Sequence, residues 1–262
     1  VLYIGFRYSK KNRNTDDFYI GGRKLGPYVT AMSAEASDMS SWLLMGLPGL
    51  AYLTGICDAA WTAIGLAIGT YLNWLLVAKR LRRYSVKTNS ITLPDFFSDR
   101  YRDKSRIILT VSAVFIVVFF VPYTASGFAA CGKLFSSLFG IDYTTAMIIS
   151  AVVIVGYTAL GGFLAASTTD FIQSIVMTVA LFIVNVAGGW DVVMNNAKEL
   201  PGFLSMTSIH NAETGGADSY GIITIISTLA WGLGYFGMPH VLLRFMATKD
   251  EKNIKTSRRI AS

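Results

Sequence analysis

Apolar residues in this chain are gathered into blocks and are not spaced at helical period. Continuous runs occupy 59–78, 107–130, 144–166, 171–190 and 220–247. Each is close to the roughly 20 residues that an α-helix needs to cross a hydrocarbon core. A helix lying on a globular core keeps a polar face, whereas these runs are apolar nearly all round. They predict helices over 58–78, 107–130, 144–164, 168–190 and 220–246, with a further one over 28–54. Residues 1–6 read as the last turns of another helix. The fold class that follows is an all-α polytopic membrane protein, with 1–262 forming a single transmembrane domain.

The helix over 28–54 departs most sharply from a lipid-facing pattern. Glu35 and Asp38 lie near its middle, among Ser33, Ser37, Ser40 and Ser41, and Gly46, Pro48 and Gly49 follow. A carboxylate at membrane depth costs at least about 2.5 kcal/mol, and it persists where it faces protein or water and has a partner. A helix interrupted near the midplane is a construction that binds cations and small solutes. Glu35 and Asp38 are three apart, so they occupy one face of a helical turn. Two carboxylates this close do not both stay ionised without help. A bound Na⁺, a shared proton and a salt bridge to another helix are the three answers open here.

A second irregular stretch runs from Trp231 to His240, with Gly232, Gly234, Gly237 and Pro239 inside it. A continuous helix is not expected there. Trp231 and Tyr235 are four apart and are expected on one face, as the wall of a small-solute pocket. Pro122 is expected to kink the helix over 107–130 and to present Tyr123 to a cavity. Gly161-Gly162 precedes Ser167, Thr168, Thr169 and Asp170, where Asp170 fits the first turn of the next helix as a cap, or stands on an ion's route.

Charge sets the expected orientation. The chain carries 23 Lys and Arg against 16 Asp and Glu, and only 15% of its residues are charged. Six of the basic residues lie in 7–24, nine in 79–106 and five in 249–259. Those loops fall on one side of the predicted helices, while Lys133 and Lys198 fall on the other. This is the positive-inside pattern, which places the basic loops in the cytoplasm of a multi-pass protein of the cell (inner) membrane. The loop over 85–106 reads as a short helix on the inner surface, and 191–219 as an external connection. No basic patch is interleaved with stacking aromatics, which argues against nucleic acid. Cys57 and Cys131 are the two cysteines and read as free thiols. His210 and His240 have no metal-ligand spacing and read as structural. Phosphate-binding loops, nucleophile elbows and zinc-protease motifs are absent, so the chain does not read as an enzyme. No obligate protein partner is evident beside the lipid bilayer. The first residue is Val and the last lie in a basic loop, so the sequence reads as a piece of a longer chain.

The segments 16–27 (DDFYIGGRKLGP), 37–49 (SDMSSWLLMGLPG), 92–97 (TLPDFF), 125–130 (ASGFAA), 161–173 (GGFLAASTTDFIQ) and 231–247 (WGLGYFGMPHVLLRFMA) resemble, in order and spacing, the sodium/solute symporter family and its bacterial proline branch. The resemblance implies an inverted-repeat, neurotransmitter-transporter-like bundle. Residues 1–6 would close a peripheral helix, 28–190 would form the first five-helix repeat, and 220–246 would open an incomplete second repeat. The same resemblance implies Na⁺ held by the backbone carbonyls of Ala36 and Met39, with Asp38 critical for it. It places Ser37 and Ser40 beside the ion and substrate sites, and Trp42, Tyr123, Trp231, Tyr235 and Pro239 at the substrate. Arg23 would serve coupling, and Asp170 the inner ion path. Ser41, Glu35 and Thr168 depart from the pattern, which has glycine, a small residue and tryptophan there. The implied activity is secondary transport that couples inward Na⁺ movement to uptake of L-proline. The alternatives are a sodium symporter for another small solute (an amino acid, a betaine or a carboxylate) and a transporter-like sensor domain.

Overall fold

The structure, a computed structural model, describes residues 1–262, with the side chains of residues 185 and 192 left aside. Two short helices, α1 (Leu2–Ser9) and α2 (Thr15–Ile20), lead into α3 (Pro27–Asp38). A π-helical turn over Trp42–Gly46 then opens α4 (Leu47–Thr54). Helix α5 (Ile56–Asn73) passes through a second π-helical turn, Trp74–Ala78, into α6 (Lys79–Lys87). Next come α7 (Leu93–Tyr101), α8 (Ile107–Phe139), α9 (Tyr143–Ala187) and α10 (Trp190–Glu199). A two-stranded antiparallel hairpin pairs β1 (Ser208–His210) with β2 (Ala217–Ser219). The chain ends with α11 (Ile222–Leu229), a 3₁₀ segment over Ala230–Phe236, α12 (Pro239–Ala247) and α13 (Asn253–Ala261).

Among the described residues, three helical stretches are long and apolar enough to cross a membrane: Ile56–Lys87, Ile107–Phe139 and Tyr143–Val184. A fourth is the broken pair Ile222–Phe236 and Pro239–Ala247, bent by 44°. The protein is therefore a multi-pass membrane protein. The outward faces of α8 and α9 are apolar and bare: Phe119 is 64% and Val152 66% exposed. Such faces suit a hydrocarbon solvent and not water.

Two predicted boundaries are corrected. Helix α8 does not end at 130 but runs nine residues further, until Gly140 takes a left-handed φ of 68° and caps it. Its backbone also stays helical through Pro122. The helices expected over 144–164 and 168–190 form one stretch, α9, broken at Gly162 (φ 62°, ψ −157°), a conformation open to glycine alone. A Cβ at Gly162 would come within 2.7 Å of the Phe18 carbonyl, and Asn12 donates its amide to the Gly161 carbonyl at 3.1 Å. The break thus sits where α2 crosses the chain, and Asn12, in the turn before α2, is the partner for the freed carbonyl.

The buried core lies at the end of the bundle that carries the basic loops. Ala34, Trp74, Leu81, Leu93, Phe245 and Met246 meet there, with the Trp74 and Phe245 rings 4.4 Å apart. Arg23 and Arg82 staple this end by taking backbone carbonyls. Arg23 donates to the carbonyls of Ser85, Ser90 and Met246, and Arg82 to those of Thr248 and Lys249. At the opposite end the loop over 191–219 is more than a linker. Besides α10 and the hairpin, it offers the Phe203 carbonyl to the Ile56 amide (2.8 Å) and the Met206 carbonyl to the Trp61 indole (2.8 Å).

Candidate functional site

Helix α3 stops at Asp38 because Met39 leaves helical geometry (φ −67°, ψ 89°). Its amide still reaches the Ala36 carbonyl at 3.3 Å, while its own carbonyl turns out of the helical ladder. Ser37 folds its hydroxyl back on the Ala34 carbonyl at 2.9 Å, one of the local bonds by which serine competes with helix. Ser40 is non-helical, and its carbonyl accepts from Leu44 at 3.1 Å.

The second break faces the first. From Ala230 to Phe236 the chain is wound as 3₁₀ helix, and Met238 (ψ 109°) leads extended into Pro239, the first residue of α12. Pro239 fits that position, where a missing N–H costs nothing. Helix α5 approaches this segment backbone to backbone. A Cβ on Gly65 would lie 2.6 Å from the Leu229 carbonyl, and Gly69 and Gly232 abut directly. Small residues four apart permit such an approach.

Two contacts join the breaks. The Tyr235 hydroxyl donates to the Asp38 carboxylate, and Trp42 stacks on Trp231 with centroids 5.3 Å apart. Asn73, 1% exposed, donates its Nδ2 to the Tyr235 carbonyl at 2.9 Å. The Trp74 indole points at Glu35 Oε1 at 3.4 Å. Between these groups lies a cavity of about 10 Å³ for a water centre, lined by Glu35, Asp38, Thr70, Asn73, Trp74 and Tyr235.

Around this centre, Tyr123 stacks on His240 at 5.8 Å, and Ser41 meets Ser126 at 3.1 Å. Helix α8 is thereby brought against both breaks. The expectation that Trp231 and Tyr235 share one face is corrected. A 3₁₀ helix turns about 120° per residue, so it aligns positions three apart and not four. Trp231, half exposed, goes to Trp42, while buried Tyr235 goes to Asp38.

Asp170 is corrected as well. The second limb of α9 starts after Gly162, so Asp170 lies two turns in and caps nothing. Its Oδ2 instead accepts from Arg244 Nη2 (2.6 Å) and from Ser33 (2.8 Å), while Arg244 Nε donates to Ser33 at 2.6 Å. This buried triad ties α3, α9 and α12 together. Arg23 lies apart from the breaks, in the staple already described. The sequence reading therefore missed Arg244, Ser33, Asn73 and Trp74 as partners. Arg244 and Asn73 did carry a signal: a charge and an amide inside apolar runs require company.

Residues 18–262 match the family model described as Sodium:solute symporter family. The chain belongs to the sodium:solute symporter family. It is 42% identical over 261 residues to a sodium/proline symporter of Staphylococcus aureus, a match covering 99% of this chain and 50% of that protein. It is 44% identical over 261 residues to the osmoregulated proline transporter OpuE of Bacillus subtilis (strain 168), covering 99% of this chain and 52% of that one. The chain thus spans about half the length of these relatives. Among solved structures it is similar to a Na⁺-coupled sialic acid symporter in a substrate-bound outward-open state, with a TM-score of 0.74 and 19% identity. That match covers 99% of this chain and 53% of the other. The shared architecture is the inverted-repeat, neurotransmitter-transporter-like bundle. Among the described residues no group of three or more His, Cys, Asp and Glu is gathered where it could hold a metal ion.

Proposed function

We propose that this chain forms part of a secondary active transporter that carries L-proline inward together with Na⁺. The observation that carries the reading is the pair of facing helix breaks, at Met39 and at Gly237-Met238, joined through Asp38 and Tyr235. The proline transporters among its relatives support the substrate. Na⁺ is a hard cation that seeks oxygen, and the carbonyls of Ala36 and Met39 at the end of α3 are its ligands in this reading. Asp38 supplies the negative charge nearby. Ser37 and Ser40 lie beside the ion, and Trp42, Tyr123, Trp231, Tyr235 and Pro239 frame the solute.

Sodium binding draws the end of α3 into one arrangement and completes the solute pocket against the 3₁₀ segment. The two affinities then rise together and by the same factor. Rocking of one bundle against the other exposes the site to either side. Asp170 and Arg23 stand on the side of the basic loops, where the ion leaves, and those loops face the cytoplasm. In this reading α3 through α9 form the first repeat, over 28–190, and 220–246 opens the second.

The test is uptake of radiolabelled L-proline by the full-length protein in liposomes, with and without an inward Na⁺ gradient. Uptake that needs the gradient and resists excess unlabelled non-proline amino acids is the expected result. Sodium-stimulated uptake of another solute alone moves the substrate. Absence of any sodium-dependent flux overturns the reading.

A further inference from the structure

Two carboxylates converge on the cavity between α3, α5 and the 3₁₀ segment, and among the described residues no cationic side chain lines it. Arg244, the cation carried by α12, is already paired with Asp170. The lining also contains an orphan. Asn73 is fully buried, its Nδ2 is committed to the Tyr235 carbonyl, and its Oδ1 has no hydrogen-bond partner among the described residues. A buried acceptor without a partner requires an explanation. Here it belongs to a residue lining a space about the size of one water or one small ion.

We infer that Glu35, Asp38, Thr70 and Asn73 form a site for a small hard monovalent cation, Na⁺, separate from the carbonyls of Ala36 and Met39. These four residues carry oxygen acceptors: two carboxylates, a hydroxyl and the unpartnered amide Oδ1. Hard cations take such ligands. The Trp74 indole only donates, and it is aimed at Glu35; the Tyr235 hydroxyl donates to Asp38. Each therefore occupies one oxygen of its carboxyl group as an acceptor. Two carboxyl groups on one cavity do not both carry charge without a bound cation, and no cationic side chain among the described residues lines this one.

The placement gives the site a consequence. Asn73 belongs to it and Tyr235 donates to its Asp38, and both also hold the second break, so an ion there draws α3, α5 and the 3₁₀ segment together. Glu35 is what makes the site a pair, since Asp38 alone would leave one carboxylate beside Thr70 and Asn73. The inference rests on the sodium-coupled reading for the identity of the ion.

Equilibrium binding of ²²Na⁺ to the purified full-length protein, without solute, tests it. Glu35→Gln is expected to bind one Na⁺ fewer per molecule at saturation than wild type, and Glu35→Asp to keep the full number. Thr70→Val, which preserves shape, is expected to weaken one site about tenfold, equivalent to about 1.4 kcal/mol. It also decides the matter should Glu35→Gln fail to fold. Equal binding by wild type, Glu35→Gln and Thr70→Val overturns this inference and leaves the transport reading standing. A wild-type protein that binds no Na⁺ removes both.

Discussion

Two prolines in apolar spans have opposite consequences. Pro122 sits inside α8, which remains helical across it, whereas Pro239 follows a break that bends its span by 44°. The surroundings explain the difference. Around Pro122 the neighbours are bare to the outside: Val118 is 57% and Val121 63% exposed. A backbone freed there would find no partner in hydrocarbon, so the helix holds. At the second break the protein supplies the partners. Asn73 takes the Tyr235 carbonyl, and Gly65 and Gly69 let α5 lie against Gly232. The α9 break follows the same rule through Asn12. A proline or glycine permits a break in this protein; a buried partner places it.

The strongest way to break this comparison is Gly69→Leu. Its side chain would meet the Gly232 backbone, and loss of folded protein, or destabilisation of about 3 kcal/mol, is expected in detergent melts. Gly127→Ala in α8 has open space around it and is expected to stay within about 0.5 kcal/mol of wild type. Equal effects would show that the close approach does not hold the broken segment.

Next in size is Arg244→Met, which strands Asp170 and is expected to destabilise by about 3 kcal/mol. Adding Asp170→Asn to it should recover much of that loss. A double variant no better than the single one would show that the pair is not coupled.

Asp38→Asn comes third. It is expected to raise the Na⁺ concentration for half-maximal uptake at least about tenfold, equivalent to about 1.4 kcal/mol, with a smaller loss of folding stability. Unchanged sodium dependence would remove Asp38 from the ion's surroundings.

The smallest effect concerns the basic end, away from both breaks. Arg83 and Lys79 hold the exposed Glu251 carboxyl down at about 2, below its ordinary 4.5. A depressed carboxyl contributes stability above its unfolded value and loses it as pH falls through the folded one. The contribution of Glu251 to the melting temperature should therefore be present and constant between pH 8 and 5. Wild type and Glu251→Gln should converge only as the pH falls from about 4.5 towards 2. A difference between them that changes near pH 6 would contradict this.

The reading of the chain alone reached the spans, the two interrupted helices and the residues around them, because runs of apolar residues and intramembrane carboxylates are local signals. Asp38, Met39 and Ser40 lie at the break expected of them. Asp170 was misplaced as a cap because its partners, Ser33 and Arg244, lie 137 and 74 residues away. Trp231 and Tyr235 were assigned one face by α-helical spacing, and the 3₁₀ winding that separates them depends on glycines packed against α5. Glu35 was legible as a departure, but its neighbours Thr70 and Asn73 were not, since they belong to another helix.

By itself the sequence determined that this chain crosses a membrane and where helical continuity is costly, since both follow from composition over a few turns. The tertiary structure alone decided which of those costly points break, which carboxylate pairs with arginine and which two share a cavity. Those choices depend on where a distant residue can replace the hydrogen bonds and charges that water would otherwise supply.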